Sequence, residues 1–274
     1  MHASESQWCT PPEQLALGRE EVHVWRASLE QPGPGIRALE QLLASDEQAR
    51  AEQFRFQKDR LHYIIARGTL RSILGRYLGK DPHTLQFSYS TFGKPALVQN
   101  PDSNALFFNV THSRGLALYG ITRGYTIGID IEYLDTRVSC EQIAARFFSP
   151  LEVNMLRAVP KELQHAAFFA CWTRKEAYIK ARGMGLSLDL KAFDVSLLPG
   201  DPAAILCSRE EALDISHWSL YDISPGPGYI GALAVEGHPA TVTCFQWQQA
   251  QFITQDATLP PPSYAALERE SRRE

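Results

Sequence analysis

The chain has 274 residues, of which 44% are hydrophobic and 21% charged, and this balance excludes a largely disordered protein. The net charge of −4 argues against a general nucleic-acid-binding protein, and the apolar runs are too short to cross a membrane. Five scattered cysteines without a CxxC pair predict neither a disulfide framework nor a zinc site, which indicates a reducing, cytoplasmic setting.

The positive charge is concentrated in one segment. Residues 50–94 contain nine Lys or Arg and only three Asp or Glu, so this segment is basic although the whole chain is acidic. A local basic island is typical of a site for one anionic ligand. A solvent-exposed helix face would have the same composition, and the charge pattern alone leaves both interpretations open.

The first half of the chain predicts an α+β subdomain over residues 21–124, which follows a loose polar leader over residues 1–20. Its helices are expected to begin at Asp46 and Asp59, and the second is expected to end at Gly79. The alternation of apolar residues predicts strands over residues 21–29, 85–90, 106–110 and 116–122.

The second half predicts another α+β subdomain over residues 125–250, followed by a polar tail over residues 251–274. Helical spacing predicts helices over residues 147–157 and 163–182, and alternation predicts strands over residues 126–133, 217–223, 229–235 and 241–247. The two halves have a similar order of elements. No sequence repeat accompanies it, so duplication is a hypothesis only.

The motif IGIDIE at residues 127–132 carries two carboxylates on one strand. Its three isoleucines face the core, while Asp130 and Glu132 project side by side from the opposite face, where Gly128 is expected to leave open space. Such a pair can reach one Mg²⁺ ion, which prefers oxygen ligands. An ordinary exposed strand face is the alternative.

The long helix over residues 163–182 contains a second candidate pair. Glu176 and Lys180 are one turn apart and share a face. The functional interpretation makes Glu176 a third metal ligand or a base, and gives Lys180 a phosphate contact. A routine surface ion pair has the same spacing, so the pattern alone does not decide.

Two shorter motifs carry further candidates. His112 ends a predicted strand in FNVTHS at residues 108–113, where it could bind a phosphate or could be a structural histidine. Lys94 lies in the predicted turn FGKP at residues 92–95, and either reaches an anion or is solvated. On the helix beginning at Asp59, three arginines share one stripe that could face a phosphate cluster, namely Arg60, Arg67 and Arg71.

Together these motifs resemble the 4′-phosphopantetheinyl transferases, specifically the long surfactin-synthetase-activating type. The similarity extends over roughly residues 45–193 and is carried by motifs in register, namely FRFQKDRLHYIIARGTLR (54–71), FGKPAL (92–97), FNVTHS (108–113), IGIDIE (127–132), FFSPLE (147–152), WTRKEAYIK (172–180) and GMGLSL (183–188). The resemblance implies two similar α/β subdomains related by a pseudo-two-fold, with coenzyme A in the cleft between them, in a monomer.

The resemblance also implies a reaction and its residues. Coenzyme A would donate its phosphopantetheine arm to a serine of an apo acyl, polyketide or peptidyl carrier protein, releasing 3′,5′-ADP. The residues that would bind Mg²⁺, or Mn²⁺, are Asp130, Glu132 and Glu176. The expected catalytic residues are Glu176, Lys180 and Asp130. The residues expected to contact coenzyme A are Arg50, Arg67, Arg71, Lys94, Thr111, His112 and Lys180, with Thr111 standing where the family has a serine. Glu152 is expected near the metal.

Two other functions use the same residues. A Mg²⁺-dependent nucleotide phosphohydrolase would employ the same carboxylates, with water as the acceptor. A coenzyme A-binding or carrier-binding module would bind without transfer. The intact carboxylate trio and Lys180 favour the transferase, and the sequence leaves open which biosynthetic pathway supplies the carrier.

Overall fold

The structure of the protein is a computed structural model. It describes residues 7–30, 35–98, 105–198, 200–210 and 214–248. The predicted tail over residues 251–274 and the first six residues of the predicted leader lie outside the described residues.

The fold combines six helices and twelve strands within the described part of the chain. The helices are α1 (Gly35–Gln41), α2 (Ser45–Glu52), α3 (Gln57–Leu78), α4 (Cys140–Phe147), α5 (Pro150–Ala158) and α6 (Lys161–Arg182). The strands are β1 (Trp8–Cys9), β2 (Glu21–Ser28), β3 (Phe87–Tyr89), β4 (Pro95–Leu97), β5 (Phe107–Ser113), β6 (Leu116–Thr122), β7 (Thr126–Tyr133), β8 (Phe193–Val195), β9 (Ile205–Ser208), β10 (Trp218–Ile223), β11 (Tyr229–Glu236) and β12 (Thr241–Gln246).

Two main sheets organise these elements. The first has the order β1-β12-β2-β6-β5, with β12 parallel to β1 and β2, and with β2, β6 and β5 mutually antiparallel. The second is antiparallel, in the order β10-β11-β7. The last strand, β12, therefore returns to the sheet that is built mainly from the first half of the chain.

A shared apolar core joins the two sheets. The three isoleucines of β7 are buried there against Val22 and Val24 of β2 and Leu118 of β6, as the alternation in IGIDIE predicts. Separate cores lie beneath the two long helices, with α3 packed on the first sheet and α6 on the second. Burial of apolar side chains between the sheets and helices is the main source of stability for a fold of this kind.

Both long helices end as the sequence predicts, at a glycine in the left-handed conformation. Gly79 after α3 has φ of 60° and Gly183 after α6 has φ of 66°, a region that other residues adopt only with strain. The mixed α and β fold class and nearly all the longer predicted strands are confirmed. None of the described helices is both long enough and apolar enough to cross a membrane.

The structure differs from the prediction at the helix expected over residues 147–157 and in the leader. That helix, α5, begins at Pro150, because Ser149 caps it in a reciprocal capping box with Glu152 and Pro150 occupies its first turn. Phe147 instead ends α4, which was not predicted. Proline is well accommodated at a helix start and interrupts a preceding helix. Part of the expected loose leader is fixed in the fold, since β1 pairs with β12 and Trp8 donates a hydrogen bond to the Ser224 carbonyl.

A buried histidine links α3 to the first sheet. The Tyr77 hydroxyl lies 2.7 Å from Nδ1 of His23 and accepts a 3.0 Å hydrogen bond from Nε1 of Trp25. The hydroxyl therefore has its proton available for His23, which suits a neutral imidazole. Burial lowers the pKa of His23 from 6.5 to about 4, against a smaller opposing influence of Glu21.

We predict that His23 makes the stability of the fold depend on pH. Because its pKa is lower in the folded state, its contribution is complete above pH 6.5 and is lost as the pH falls towards 4. Between pH 7 and pH 5 this amounts to about 2 kcal/mol. Urea unfolding at both pH values should show that His23→Gln removes most of this difference, while His83→Gln, at an exposed position, retains it. An unchanged pH dependence in His23→Gln would contradict the assignment.

Candidate active site

The edges of the two sheets meet along β5 and β7, and side chains join them. The Asn109 side-chain carbonyl accepts a 2.8 Å hydrogen bond from the Ile129 amide. At the other end, the Ser113 hydroxyl donates to Glu132 at 3.0 Å and accepts from the Tyr133 amide at 3.1 Å. These bonds fix the polar residues of FNVTHS beside the carboxylates of IGIDIE.

The helix α6 lies unusually close to β7 at Gly128. A Cβ atom at this position would overlap the Ala177 carbonyl oxygen and the Ala181 amide nitrogen, and would lie 2.9 Å from the Lys180 carbonyl carbon. The prediction of open space beside Gly128 is therefore wrong, because the backbone of α6 occupies that space. This approach brings the helix face that carries Glu176 and Lys180 onto the strand that carries Asp130.

A polar triangle forms where β5, β7 and α6 meet. The Lys180 ammonium donates to Asp130 Oδ1 at 2.6 Å and to the Thr111 hydroxyl at 3.1 Å, and this hydroxyl donates to the same Asp130 oxygen at 3.1 Å. Asp130 is only 4% exposed. Its second oxygen, Oδ2, is buried and has no hydrogen-bond partner in the described part of the chain.

Burial raises the pKa values of all three carboxylates, and the charge of Asp130 adds to this for Glu132 and Glu176. Burial raises the pKa of Asp130, and Lys180 opposes this. Burial and the charge of Asp130 raise the pKa of Glu132. The pKa of Glu176 is raised by burial, then by Asp130 and Glu132, against Lys180. Glu176 makes no hydrogen bond or ion pair with any described residue.

These properties fit a divalent cation. The orphaned Asp130 oxygen lacks a positive partner, and three mutually repelling carboxylates are stabilised by an added cation. Their oxygen donors suit Mg²⁺ or Mn²⁺. In the described residues no three His, Cys, Asp or Glu side chains are gathered closely enough to enclose a metal as they stand. The Lys180 ammonium is instead the cation nearest Asp130.

A basic cavity of about 470 Å³ lies between α3 and β5. Its polar and charged lining residues are Lys58, Asp59, His62, Tyr63, Arg67, His112 and Arg114. Of the predicted ligand residues, only Arg67 and His112 lie in this lining. Loss of solvent, followed by the charges of Lys180 and His62, lowers the pKa of His112. The sequence analysis missed Lys58 and His62, which are one turn apart on the face of α3 that lines the cavity.

A second cavity of about 290 Å³ adjoins the first. It is lined by Glu176, Lys180 and Lys94 together with Asn109, Phe92 and the glycines that follow α6. Pro95 and Val110 line both cavities, so the two form a groove that leads from the basic cavity to Glu176 and Lys180. An elongated anionic ligand could therefore have one end among the basic groups and the other beside Lys180.

Most of the predicted arginine stripe is paired within the protein. Both Arg67 and Arg71 form ion pairs with the buried carboxylate of Glu47 in α2, and Arg71 also donates to the carbonyls of Pro82 and Leu85 at 2.8 and 3.0 Å. Arg60 pairs with Glu40 at 3.0 Å. These arginines hold α1 and α2 against α3. Arg50 is exposed and lies outside the lining of either cavity.

Two other predicted residues are engaged by neighbouring groups. The Lys94 ammonium donates to the main-chain carbonyls of Ile127, Lys180 and Ala181, at 3.2, 2.6 and 3.3 Å. A phosphate contact by Lys94 stays a prediction, and it would compete with these carbonyls. Glu152, expected near the metal, pairs at 2.8 Å with Lys175 in a core where both side chains are fully buried, so that expectation is wrong.

The fold and the groove together indicate the kind of chemistry that this protein performs. A mixed α and β enzyme with an acidic, cation-suited site beside a basic cavity is suited to chemistry on a phosphorylated ligand. Two family models match this chain, described as the 4′-phosphopantetheinyl transferase superfamily over residues 126–243 and the 4′-phosphopantetheinyl transferase N-terminal domain over residues 24–119.

Individual relatives agree with these models. The 4′-phosphopantetheinyl transferase HetI of Nostoc sp. is 39% identical over 88% of this chain and 95% of its own length. The 4′-phosphopantetheinyl transferase Sfp of Bacillus subtilis is 28% identical over 76% of this chain and 89% of its own. The chain therefore belongs to the 4′-phosphopantetheinyl transferase family and is an enzyme of that class, which confirms the resemblance seen in the motifs.

We predict that Gly128→Ala separates α6 from β7. The added methyl group overlaps backbone atoms, which cannot move as a side chain can, so the free energy of unfolding should fall by about 3 kcal/mol, or roughly 6–12 °C in a protein of this size. Thermal unfolding measures this. Gly18→Ala is the matched control, because its methyl group would meet only the flexible side chain of Glu21. Equal melting temperatures for the two variants would contradict the close approach.

Proposed function

We propose that this enzyme transfers the 4′-phosphopantetheine arm of coenzyme A to a serine hydroxyl of an apo acyl, polyketide or peptidyl carrier protein. The serine oxygen forms a bond to the phosphorus of the arm, the bond from that phosphorus to the nucleotide phosphate breaks, and 3′,5′-ADP leaves. The observation that supports this assignment is the groove, with basic groups at one end and Glu176 and Lys180 at the other, where Lys180 is paired with Asp130.

The residues of the groove have separable roles in this proposal. His112 and Arg67 face the nucleotide phosphates from the basic cavity, and Thr111 orients Lys180. The roles of Arg50 and Arg71 as direct ligands have less support, because Arg71 is 1% exposed and Arg50 lies outside the groove. Arg71 contributes by holding Glu47, which in turn orients Arg67.

Lys180 and Glu176 act at the diphosphate. Phosphoryl transfer depends mainly on positioning and on stabilising the charge that develops. The Lys180 ammonium, held between Asp130 and Thr111, is placed to stabilise the charge on the leaving phosphate. Glu176 has no competing partner among the residues that the structure describes, and its pKa is raised, properties that suit a base for the serine proton.

The metal belongs to the same proposal. The residues that would hold Mg²⁺, or Mn²⁺, are Asp130, Glu132 and Glu176. When bound, the ion would neutralise the diphosphate charge and draw the phosphate towards these carboxylates. The chain itself contributes the buried Asp130, which keeps Lys180 in place, and Ser113, which orients Glu132.

We also propose a pseudo-two-fold relation between the two halves. Apart from β12, which returns to the first sheet, the first strand of each half pairs with the last, and the last with the one before it, giving β2-β6-β5 and β7-β11-β10. Each half also contains one helix of 22 residues that ends at a left-handed glycine. A monomer with two such halves would contain a complete groove, and the five free cysteines support a cytoplasmic setting.

Intact-protein mass spectrometry of an apo carrier protein tests the reaction. Incubation with this enzyme, coenzyme A and Mg²⁺ should add one phosphopantetheine to the carrier, and EDTA or Asp130→Ala should abolish the gain. Bound coenzyme A without a mass gain on acyl, polyketide or peptidyl carriers would favour a binding module. Release of nucleotide product without carrier would favour a phosphohydrolase.

We predict that Glu176→Gln keeps coenzyme A affinity within a few-fold and loses turnover by about 10²–10⁴-fold, because it removes a base while preserving shape. Calorimetric titration and steady-state transfer measure the two quantities. Glu162→Gln, at an exposed position in the first turn of the same helix, is the control and should behave like the wild type. Near-wild-type transfer by Glu176→Gln would exclude Glu176 as the base.

A further inference from the structure

Lys94 connects parts of the molecule that are distant in sequence. It lies between β3 and β4 in the first half of the chain, whereas its three hydrogen-bond acceptors belong to β7 and to the last turn of α6. Each ammonium hydrogen therefore has one carbonyl partner, and all three partners are main-chain groups. An ammonium without a carboxylate partner, surrounded by carbonyl oxygens, is unusual for a lysine near an active site.

Two of these acceptors, the Lys180 and Ala181 carbonyls, lie in the last turn of α6. The last four carbonyls of a helix have no partner within it, and a positive charge is favourable at this negative end of the helix dipole. The Gly183 amide already caps the Ile179 and Lys180 carbonyls. Lys94 provides a second donor to the Lys180 carbonyl, and it also donates to the Ala181 carbonyl.

Lys94 also lies at the crossing of α6 and β7. The Ile127 carbonyl that it binds directly precedes Gly128, where the helix and strand backbones touch. One ammonium group thus holds the strand and the helix end together at their closest point. The same contact fixes the main chain of Lys180. The side chain of Lys180 pairs with Asp130, which lies two residues after Gly128 on the same face of β7.

We propose that Lys94 is a positioning residue, which caps α6 and holds Lys180 in register with Asp130, and that it acts through Lys180 rather than as a phosphate ligand. This proposal rests on the transferase function proposed above. Withdrawal of the ammonium from water agrees with it, since burial lowers the pKa of Lys94 to about 8. An anion bound directly to the ammonium would have to displace one of the carbonyls.

Three measurements on Lys94→Met test the proposal. Hydrogen exchange of the free enzyme should show at least tenfold faster exchange at the Gly183 amide, which donates to the Ile179 and Lys180 carbonyls. Calorimetry should give a dissociation constant for coenzyme A within twofold of wild type, and kcat for transfer should fall at least tenfold. Lys80→Met, which removes a charge from an exposed position in the same basic segment, should leave all three unchanged.

A double-variant cycle tests the route through Lys180. If Lys94 acts by positioning Lys180, the Lys94→Met change should lower kcat by less than twofold in a Lys180→Met background. Independent, multiplying effects would overturn the proposal. A tenfold weaker affinity for coenzyme A with unchanged exchange at the end of α6 would also overturn it, in favour of a phosphate ligand.

The role of Lys94 can still be tested if the Lys94→Met variant does not fold or if the wild type shows no transfer. If Lys94→Met does not fold, Lys94→Gln is measured in its place, because it keeps two N–H donors without the charge. Hydrogen exchange at the end of α6 should then be faster than in the wild type and in Lys80→Met, but slower than in an unprotected amide. If the wild type transfers nothing to any carrier, the proposed function fails by itself. The exchange and affinity measurements still decide whether Lys94 caps α6 or binds phosphate.

Discussion

The site depends on the contact between the backbones of α6 and β7 at Gly128. Only a residue without a side chain allows this separation, and the helix residues one turn apart, Glu176 and Lys180, then face the strand residues Asp130 and Glu132. Any increase in the distance would separate the ammonium from its carboxylate. Electrostatic interactions weaken and lose direction quickly over such distances, so a purely steric property of one glycine sets the geometry of the charged groups.

The charges of the protein are arranged in two ways. In the first half, buried Glu47 pairs with both Arg67 and Arg71, and in the second half Glu152 pairs with Lys175 within the core. Such pairs satisfy groups that would be costly to bury alone. Around the carboxylates the balance is incomplete, since the Lys180 ammonium interacts with Asp130, Glu132 and Glu176, and one oxygen of Asp130 has no hydrogen-bond partner among the described residues. An excess of buried negative charge is typical of a functional site.

Much of this could be predicted from the sequence, because local patterns determine it. The alternation in IGIDIE places its isoleucines in the core and its carboxylates opposite, and glycine ends α3 and α6 as expected. The partners of the basic residues could not be predicted, since Glu47 and Glu152 are distant from them in sequence. Helical spacing identified the stripe of Arg67 and Arg71, yet the adjacent face with His62 lines the cavity. Which face meets a ligand is decided by the packing of α1 and α2, which no local pattern records.

The groove belongs to neither half alone. Thr111 and Ser113 come from the edge strand of the first sheet, while the carboxylates and Lys180 come from the second sheet and its helix. The halves are tied by a common apolar core, by the return of β12 to the first sheet, and by Lys94 across the helix end. Each tie constrains a different direction of movement. Because the hydrogen bonds of Asn109, Thr111 and Ser113 cross the seam between β5 and β7, the precision of the site depends on the rigidity of that seam.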